Sequence, residues 1–273
     1  MISLPGISIG KISYSVGDGR TALRDLAMEA AGKIGDVGEV GAVVAATFSS
    51  DERFPSLAVR VASHLGLPPR TPAFDVQMAC SAYPYALYLA GRISADTGKV
   101  VLVVNGDAQT RLVDSSDHAT GKIFSDAATC TVVSAKGEEV SNFDFLSRCD
   151  EALSCPEAGP IRMDGMKVFA FVATEVSAFL KNFLSCTVPS PELFVPHQAN
   201  PYMVRQLAKS IGYADRFLAI DESLKNPGGC SIPLAIAKAR ESGALASGCG
   251  KALVAGFGAG FSAGAGTVSI DPA

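Results

Sequence analysis

Cys80 is the residue of this chain best placed for covalent chemistry, because of its position in AFDVQMACSAYPYALYLAG, residues 73–91. The pattern predicts a short buried strand over residues 73–76 and a helix over residues 83–92, with the cysteine at the junction. The unpaired N–H groups and the positive end of the helix dipole at such a junction favour a thiolate over a thiol. Most cysteines are buried and inert, but this location predicts a nucleophile.

A histidine and an asparagine occupy comparable positions in the second half of the chain. His197, in VPHQAN, follows a predicted strand, and open α/β sheets bind ligands at the carboxyl ends of their strands. Asn226 precedes Pro227 in KNPGGCSIP, which is typical of a helix N-cap followed by proline at the first helical position. Capping explains why an asparagine precedes a proline here. It does not explain why the two residues occupy the position equivalent to the corner that carries Cys80. His64 and His118 fall at no such corner, and we interpret both as structural.

The elements that must position these residues occur in the same order twice. The first half is predicted to contain a strand over 42–47, a helix over 55–65, the strand and helix around Cys80, and a strand in GKVVLVVNGDA. The second half repeats this with a strand over 192–195, a helix over 201–211, a strand over 217–221, a helix over 227–240 and a strand over 251–256. Two copies of one βαβαβ unit predict an α/β fold of two duplicated halves, residues 1–137 and 138–273, joined by a polar connection over about 136–160. In that arrangement Cys80 in the first copy corresponds to the Asn226 region in the second, and the two strand-to-helix corners would meet at a shared site.

The glycine-rich segment GFGAGFSAGA matches two known motifs without fitting either. GFSAG, around Ser262, has the pattern of a hydrolase nucleophile elbow, but no histidine follows it in the sequence. GAGFSA lacks the helix and strand that complete a dinucleotide site. Close backbone approach to a reacting carbonyl is the better use of Gly256, Gly258, Gly260 and Gly264. The order Cys, His, Asn also occurs in papain-like peptidases, but their local cysteine signature is absent and the scaffold is wrong.

Composition and charge argue against several classes of function. A net charge of −4 disfavours a surface for nucleic acid or an anionic membrane. The seven cysteines form no CxxC pair and have no histidine at ligand spacing, so neither a disulfide framework nor a metal site is expected. Reduced thiols, no signal segment and no apolar run approaching about eighteen residues predict a cytoplasmic protein without a membrane span.

Six segments together resemble β-ketoacyl-[acyl-carrier-protein] synthase III and its relatives in the thiolase superfamily. They occur in family order over nearly the whole chain: PAFDVQMACSAYPYAL, FSDAATCTVV, MDGMKVFAFV, VPHQANPYMV, KNPGGCSIP and GFGAGFSAGA. The resemblance implies a thiolase-like five-layer αβαβα fold built from two similar halves, usually as a dimer. This agrees with the duplication read from the sequence.

The resemblance also implies a role for each candidate residue. Cys80 would carry the acyl group, while His197 and Asn226 would hydrogen-bond the thioester oxygen of the second substrate. The backbone N–H groups of Cys80 and Ala259 would form the oxyanion hole. Ala259 stands where relatives usually carry Gly, which requires its φ to be negative. Phe54, in ERFPS, matches the family residue that reaches across the dimer to limit acyl-chain length; otherwise it would be a core residue.

Departures from the family pattern affect the grip on the substrate. The chain has no Trp, and the amino-terminal region that holds the CoA adenine in relatives is shortened. The Arg that usually follows HQAN by one residue is replaced by Tyr202. Arg205 and Lys209, four apart on one predicted helix, could contact CoA or the carrier protein instead, or belong to a solvated face.

The resemblance implies an acyltransferase of the ketoacyl synthase III type, in which the acyl group on Cys80 undergoes decarboxylative Claisen condensation with a malonyl-type thioester. The departures in the substrate-binding parts indicate a specialised pathway. Its partners would be acyl-CoA, acyl carrier protein or both, as substrates rather than cofactors, and it would be a homodimer. Two alternatives stay open. One is transfer of the acyl group from Cys80 to an amine or hydroxyl, with His197 as general base; the other is a non-catalytic partner of a longer homologue in a heterodimer.

Overall fold

The structure is a computed structural model that describes residues 1–114, 116–117, 120–157 and 159–273, without the side chains of residues 137 and 138. The interpretation of His118 lies outside the described residues. The strands are β1 (Ile2–Val16), β2 (Val40–Ala46), β3 (Ala73–Val76), β4 (Val100–Asp107), β5 (Ala127–Asp150), β6 (Leu153–Ser154), β7 (Arg162–Met163), β8 (Leu193–Pro196), β9 (Cys249–Gly258) and β10 (Gly260–Ile270). The helices are α1 (Leu23–Gly32), α2 (Leu57–His64), α3 (Ala82–Thr97), α4 (Gly165–Phe171), α5 (Ser177–Ser185), α6 (Pro201–Ser210) and α7 (Ser231–Glu241).

Eight of these strands form one sheet in the order β3-β2-β4-β5-β1-β10-β9-β8. The long strand β5 joins its two halves, since its first part pairs antiparallel with β4 and β1 and its last part pairs antiparallel with β10. The boundary at residues 137 and 138 therefore falls inside β5, and the predicted polar connection is wrong up to Asp150. In this part of β5, residues 141–143 are buried and residues 147–149 are exposed.

Alternating side chains on the strands reveal the layers. On β4, Leu102 and Val104 pack with α1 and α2, whereas Val101 and Val103 face the central helices α3 and α7. On β9, Leu253 packs with α4, α5 and α6, whereas Val254 faces the central pair. Helices therefore cover both faces of each half-sheet, and α3 and α7 lie between the halves. The expected five-layer αβαβα arrangement is confirmed.

Residues 217–221 do not form the predicted strand. A single bridge joins Phe217 to Phe194. Beyond it, the side-chain amide of Gln198 replaces a neighbouring strand, donating to Leu218 O at 3.1 Å and accepting from Ile220 N at 3.2 Å. A side chain that satisfies the backbone removes the need for a ladder.

The continuous helix Gly165–Ser185, which includes a π-helical turn over Val172–Val176, is the one helix of the described residues long and apolar enough to span a membrane. Its apolar side chains have another use in the fold. Phe171, Val176 and Phe183 are buried against β9 and β10 in the same core cluster. Such packing is what an amphipathic core helix requires.

Candidate active site

Cys80 lies in a 3-10 turn, Ala79–Ser81, that leads directly into α3. The backbone of Ala79 is left-handed, with φ 42°, a conformation that is uncommon for a residue with a Cβ. The Ser81 hydroxyl donates to Met78 O at 2.8 Å and closes the turn. The cysteine is thus presented on a tight, fully specified corner at the end of β3.

The second half builds the same corner in front of α7. Its 3-10 turn is Gly228–Cys230, Gly228 has φ 65°, and the Cys230 Sγ lies 3.0 Å from Pro227 O, as Ser81 does with Met78. When the two turns are aligned residue by residue, Cys80 corresponds to Gly229. The sequence had suggested that it corresponds to the Asn226 region. The two corners touch, because a Cβ on Gly229 would lie 3.0 Å from Ala79 O.

The end of β9 passes directly over the nucleophile corner. A Cβ on Gly258 would lie 2.9 Å from the Cys80 Cβ, and one on Gly256 would lie 2.9 Å from Ser81 Cα. These glycines therefore permit close approach, but to the cysteine corner itself rather than only to a substrate carbonyl. Ala259 follows in the β9–β10 turn, and its φ is not positive, which confirms that alanine is tolerated there.

Two cavities lie beside the contact between the turns Ala79–Ser81 and Gly228–Cys230, which we call the seam between the halves. The first, of about 140 Å³, is lined by Cys80, Ala259, Gln109 and apolar side chains that include Phe48, Phe124, Leu153 and Ile161. The second, of about 230 Å³, is lined by Asn226, Asn200, Ile123 and cationic side chains that include Lys122, Arg205 and Lys225. The first cavity lies at the Cys80 thiol and the second, which we call the cleft, at the Asn226 carboxamide, and His197 lines neither of them.

Burial controls the protonation of Cys80. The side chain is 7% exposed, and burial, with a smaller contribution from the charge of Asp107, raises the pKa of the Cys80 thiol to about 12. The thiolate expected from the helix N-terminus alone is therefore not the resting form. Desolvation outweighs the helix dipole because the charged form loses its hydration.

His197 follows β8, as the sequence predicted, and is almost fully buried. Its Nδ1 lies 2.7 Å from the Ser231 Oγ, which also accepts the Gln198 N–H at 3.2 Å. We assign the Ser231 hydroxyl as donor to Nδ1, which leaves the proton on Nε2. Burial lowers the pKa of His197 to about 4, with a smaller opposing contribution from the Gly228 backbone. The imidazole is thus neutral at pH 7 and can donate one N–H.

Asn226 does not cap α7, contrary to the sequence interpretation. Its Oδ1 accepts the Gly228 N–H at 2.9 Å in an Asx turn, which is a local alternative to capping. Its backbone N–H donates to Ile123 O at 3.0 Å, and its carbonyl accepts from Ser125 N at 3.1 Å. The Asn226 Nδ2 has no partner within the described part of the chain, so a donor remains available at the cleft.

The structure places the peripheral candidates at different distances from the seam. Arg205, on α6, lines the cleft with Asn226, whereas Lys209 lies in the last turn of the same helix and does not line it. Tyr202 is exposed and stacks on Phe169 with ring centroids 6.1 Å apart. Phe54 is 84% exposed, so its interpretation as a core residue is wrong; its role across a dimer stays a prediction.

Sequence reasoning missed three polar residues that hold the seam. Ser231 orients His197, as described above. Asp107 ends β4, and its Oδ1 accepts from Thr47 Oγ1 at 2.9 Å and Ser49 Oγ at 3.0 Å; burial raises the pKa of Asp107 to about 6. Gln109 follows two residues later. The available signal was GDAQ directly after a buried strand, the sheet edge at which ligands bind.

Comparison with known proteins finds one family for both halves of the chain. The family 3-Oxoacyl-[acyl-carrier-protein (ACP)] synthase III matches residues 74–150, and its C-terminal part matches residues 186–270. The Beta-ketoacyl-[acyl-carrier-protein] synthase III of Neisseria meningitidis serogroup C is 32% identical over 256 residues, which cover 88% of this chain and 79% of that protein. The enzyme of the same name from Rhodospirillum rubrum is 31% identical over 272 residues, covering 92% of this chain and 82% of that protein.

Solved structures show the same fold. The 3-oxoacyl-(acyl carrier protein) synthase III of Pseudomonas aeruginosa PAO1 superposes with a TM-score of 0.88 at 26% identity, covering 97% of this chain and 98% of that one. The priming β-ketosynthase of the R1128 polyketide biosynthetic pathway superposes with a TM-score of 0.81 at 25% identity, covering 94% and 84%.

Proposed function

The chain belongs to the 3-oxoacyl-[acyl-carrier-protein] synthase III family, and from this premise we propose that it joins an acyl group carried on Cys80 to a malonyl-type thioester. The observation that carries the proposal is the seam between the halves. There the turn that carries the buried Cys80 thiol contacts the turn that follows Asn226, whose carboxamide has a donor unpaired among the described residues. The neutral imidazole of His197 is held by Ser231, the residue directly after the second turn.

In the first half-reaction the Cys80 sulfur attacks the carbonyl of an acyl thioester. The new bond joins Sγ to the acyl carbon, the carbon–sulfur bond to the carrier breaks, and the thiol proton leaves with the departing carrier thiol. The backbone N–H groups of Cys80 and Ala259 are proposed to stabilise the oxyanion. The apolar cavity of about 140 Å³ beside Cys80 supports a short acyl chain as the group transferred.

In the second half-reaction a malonyl thioester loses CO₂, and the electron pair of the broken carbon–carbon bond passes to the thioester oxygen as an enolate. We assign His197 Nε2–H and Asn226 Nδ2–H as the donors to that oxygen. The enolate carbon then attacks the acyl carbonyl, and Cys80 leaves and regains a proton. Neutral donors fixed in a buried site stabilise such a charge more than water does, because they need no reorganisation.

Acyl-CoA and acyl carrier protein are the proposed carriers of the substrates. The cleft at Asn226 is lined by three cationic residues, Lys122, Arg205 and Lys225, and by two acidic ones, Asp221 and Glu222. The excess of positive charge supports an anionic carrier at this opening. We propose a homodimer, because β3 is an edge strand with every residue partly exposed and Phe54 projects from the same half. Fatty acid or polyketide biosynthesis in the cytoplasm is the corresponding setting.

The same test distinguishes two alternative functions. Acyl transfer to an amine or hydroxyl would need His197 as a base, and burial lowers its pKa to about 4, which weakens it in that role. A non-catalytic subunit of a heterodimer would leave Cys80 unacylated.

The test is incubation with a panel of acyl-CoA and acyl-carrier thioesters, followed by intact mass spectrometry and measurement of CO₂ released from malonyl thioester. We expect an acyl adduct that is lost in Cys80→Ala, and CO₂ release when malonyl thioester is added. An adduct that passes only to amines or alcohols would favour the second activity. No adduct from any donor, with co-purification of a longer homologue, would favour the heterodimer subunit.

A further inference from the structure

Gln109 lines the cavity beside Cys80 and contacts the turn that contains Asn226. It follows β4 by two residues, is 1% exposed, and lines the apolar cavity together with Cys80. A long polar side chain rarely occupies such a place unless its amide is fully engaged. One of the two residues that engage it, Asn226, lines the other cavity.

The Gln109 amide holds the turn that contains Asn226. Its Nε2 donates to Asn226 O at 3.2 Å and to Ser125 O at 3.1 Å. Two carbonyl oxygens fix the orientation of the amide, because the reversed amide would oppose oxygen to oxygen. Gly228 leaves room for this contact, since a Cβ there would lie 3.0 Å from Nε2.

This contact completes the support of the Asn226 carboxamide. The Gly228 N–H donates to the Asn226 Oδ1. The Asn226 N–H donates to Ile123 O, and the Asn226 carbonyl accepts from Ser125 N. Gln109 Nε2 donates to the same carbonyl. We propose that Gln109 is a positioning residue for Asn226, and so for the decarboxylating half-reaction rather than for acylation of Cys80. The expected effect on the half-reactions rests on the proposed function. The support that Gln109 gives to the turn containing Asn226 can be tested without any enzyme activity.

The variants are Gln109→Leu, which removes the donor at similar volume, and Gln109→Glu, which opposes a carboxylate to two carbonyl oxygens. The matched control is Gln77, a glutamine that lines the same cavity but is exposed and makes no side-chain hydrogen bond among the described residues. Gln77 also precedes Cys80 by three residues, as Asn226 precedes Gly229.

For the kinetic test, both half-reactions are measured separately. We expect each Gln109 variant to slow CO₂ release from malonyl thioester by up to about 100-fold, the usual scale for a misplaced catalytic group. Acylation of Cys80, whose cavity Gln109 also lines, should slow by much less. Gln109→Leu combined with Asn226→Ala should be no slower than Asn226→Ala alone, because the two residues act as one unit. Equal loss in both half-reactions, or the same change of their ratio in Gln77→Leu, would overturn the proposal.

Hydrogen exchange provides the test that needs no substrate. The amides of Ser125 and Gly228, which hold Asn226, should exchange faster in both Gln109 variants and at the wild-type rate in the Gln77 variants. Unchanged exchange at both amides in Gln109→Glu would overturn the proposal. A wild-type protein with neither half-reaction would refute the proposed function instead, and the exchange data would still decide the role of Gln109.

Discussion

At the scale of single residues, burial at the seam shifts the pKa values of Cys80 and His197 in opposite directions. Burial raises the pKa of the Cys80 thiol and lowers that of the His197 imidazole, because in both cases it disfavours the charged form. Both side chains are therefore neutral at rest. The negative charge of the reaction itself develops on a substrate carbonyl, in front of N–H donors already fixed in place.

The raised pKa of Cys80 predicts how its reactivity depends on pH. Only the thiolate is alkylated, so the rate of Cys80 alkylation by iodoacetamide should rise about tenfold per pH unit and show no plateau at pH 9. The unfolded chain, where a thiol titrates near 9.0, should level off earlier. Peptide mapping by mass spectrometry measures Cys80 alone. A plateau below pH 9 in the folded protein would mean that the helix N-terminus outweighs burial.

The two donors predict a separation of half-reactions. His197→Ala and Asn226→Ala should each slow decarboxylation of malonyl thioester by about 100-fold or more, the usual effect of removing one oxyanion donor. Acylation of Cys80 should continue in both variants, because that step uses the backbone N–H groups. Rapid-quench mass spectrometry gives the acylation rate, and CO₂ release gives the other. Loss of acylation in Asn226→Ala would contradict this division.

At the scale of elements, the glycines of β9 determine how closely the sheet approaches the nucleophile corner. A Cβ at Gly256 would lie 2.9 Å from both Ser81 Cα and Ser81 O, and backbone atoms cannot move aside at little cost.

Gly256→Ala should therefore lower the free energy of unfolding by about 1–3 kcal/mol and slow acylation of Cys80. Chemical denaturation measures the first effect. Gly165→Ala is the control, because no atom lies within 4 Å of the added Cβ at the start of an exposed helical turn. Equal stability of the two variants would show that the contact between β9 and the corner can relax.

The bounds of the helices and strands show how much of the fold can be predicted from the sequence. β3 was predicted with its exact bounds and α6 to within one residue, because a short apolar run and an Asn-Pro start are local signals. β5 was not, since its second part alternates polar and apolar residues, and its partner β10 lies more than a hundred residues away. The sequence also indicates a cap at Asn226, but α7 has no side-chain cap. An asparagine cap occurs instead on α6, where Asn200 Oδ1 accepts from Met203 N at 2.8 Å.

At the scale of the whole molecule, each half supplies part of the site. The first half contributes Cys80 and the supports Asp107 and Gln109, and the second contributes His197 and Asn226. Neither half could bind and react alone, because the corners are completed only where they touch. Duplication thus yields one composite site rather than two equivalent ones.

Phe54 provides a prediction for the assembled molecule. A phenylalanine that is 84% exposed leaves apolar area in water, which a partner subunit would cover. If it enters the acyl cavity of that partner, Phe54→Ala should extend the range of acyl chains found on Cys80 to longer ones. Intact mass spectrometry with a series of acyl-CoA chains measures this, and Val59→Ala, another exposed apolar residue, is the control. An unchanged chain-length range in a variant that still dimerises would contradict the role.

The central claim is that the thiol of one half and the two donors of the other act in succession on one bound pair of substrates. The most direct measurement isolates the acylated protein, adds malonyl thioester labelled in its free carboxyl group, and follows the Cys80 adduct and labelled CO₂ in a single turnover. We expect the adduct to disappear as one CO₂ is released per acyl group, with a β-ketoacyl thioester as product. An adduct that persists, or that leaves Cys80 without CO₂ release, would contradict the claim.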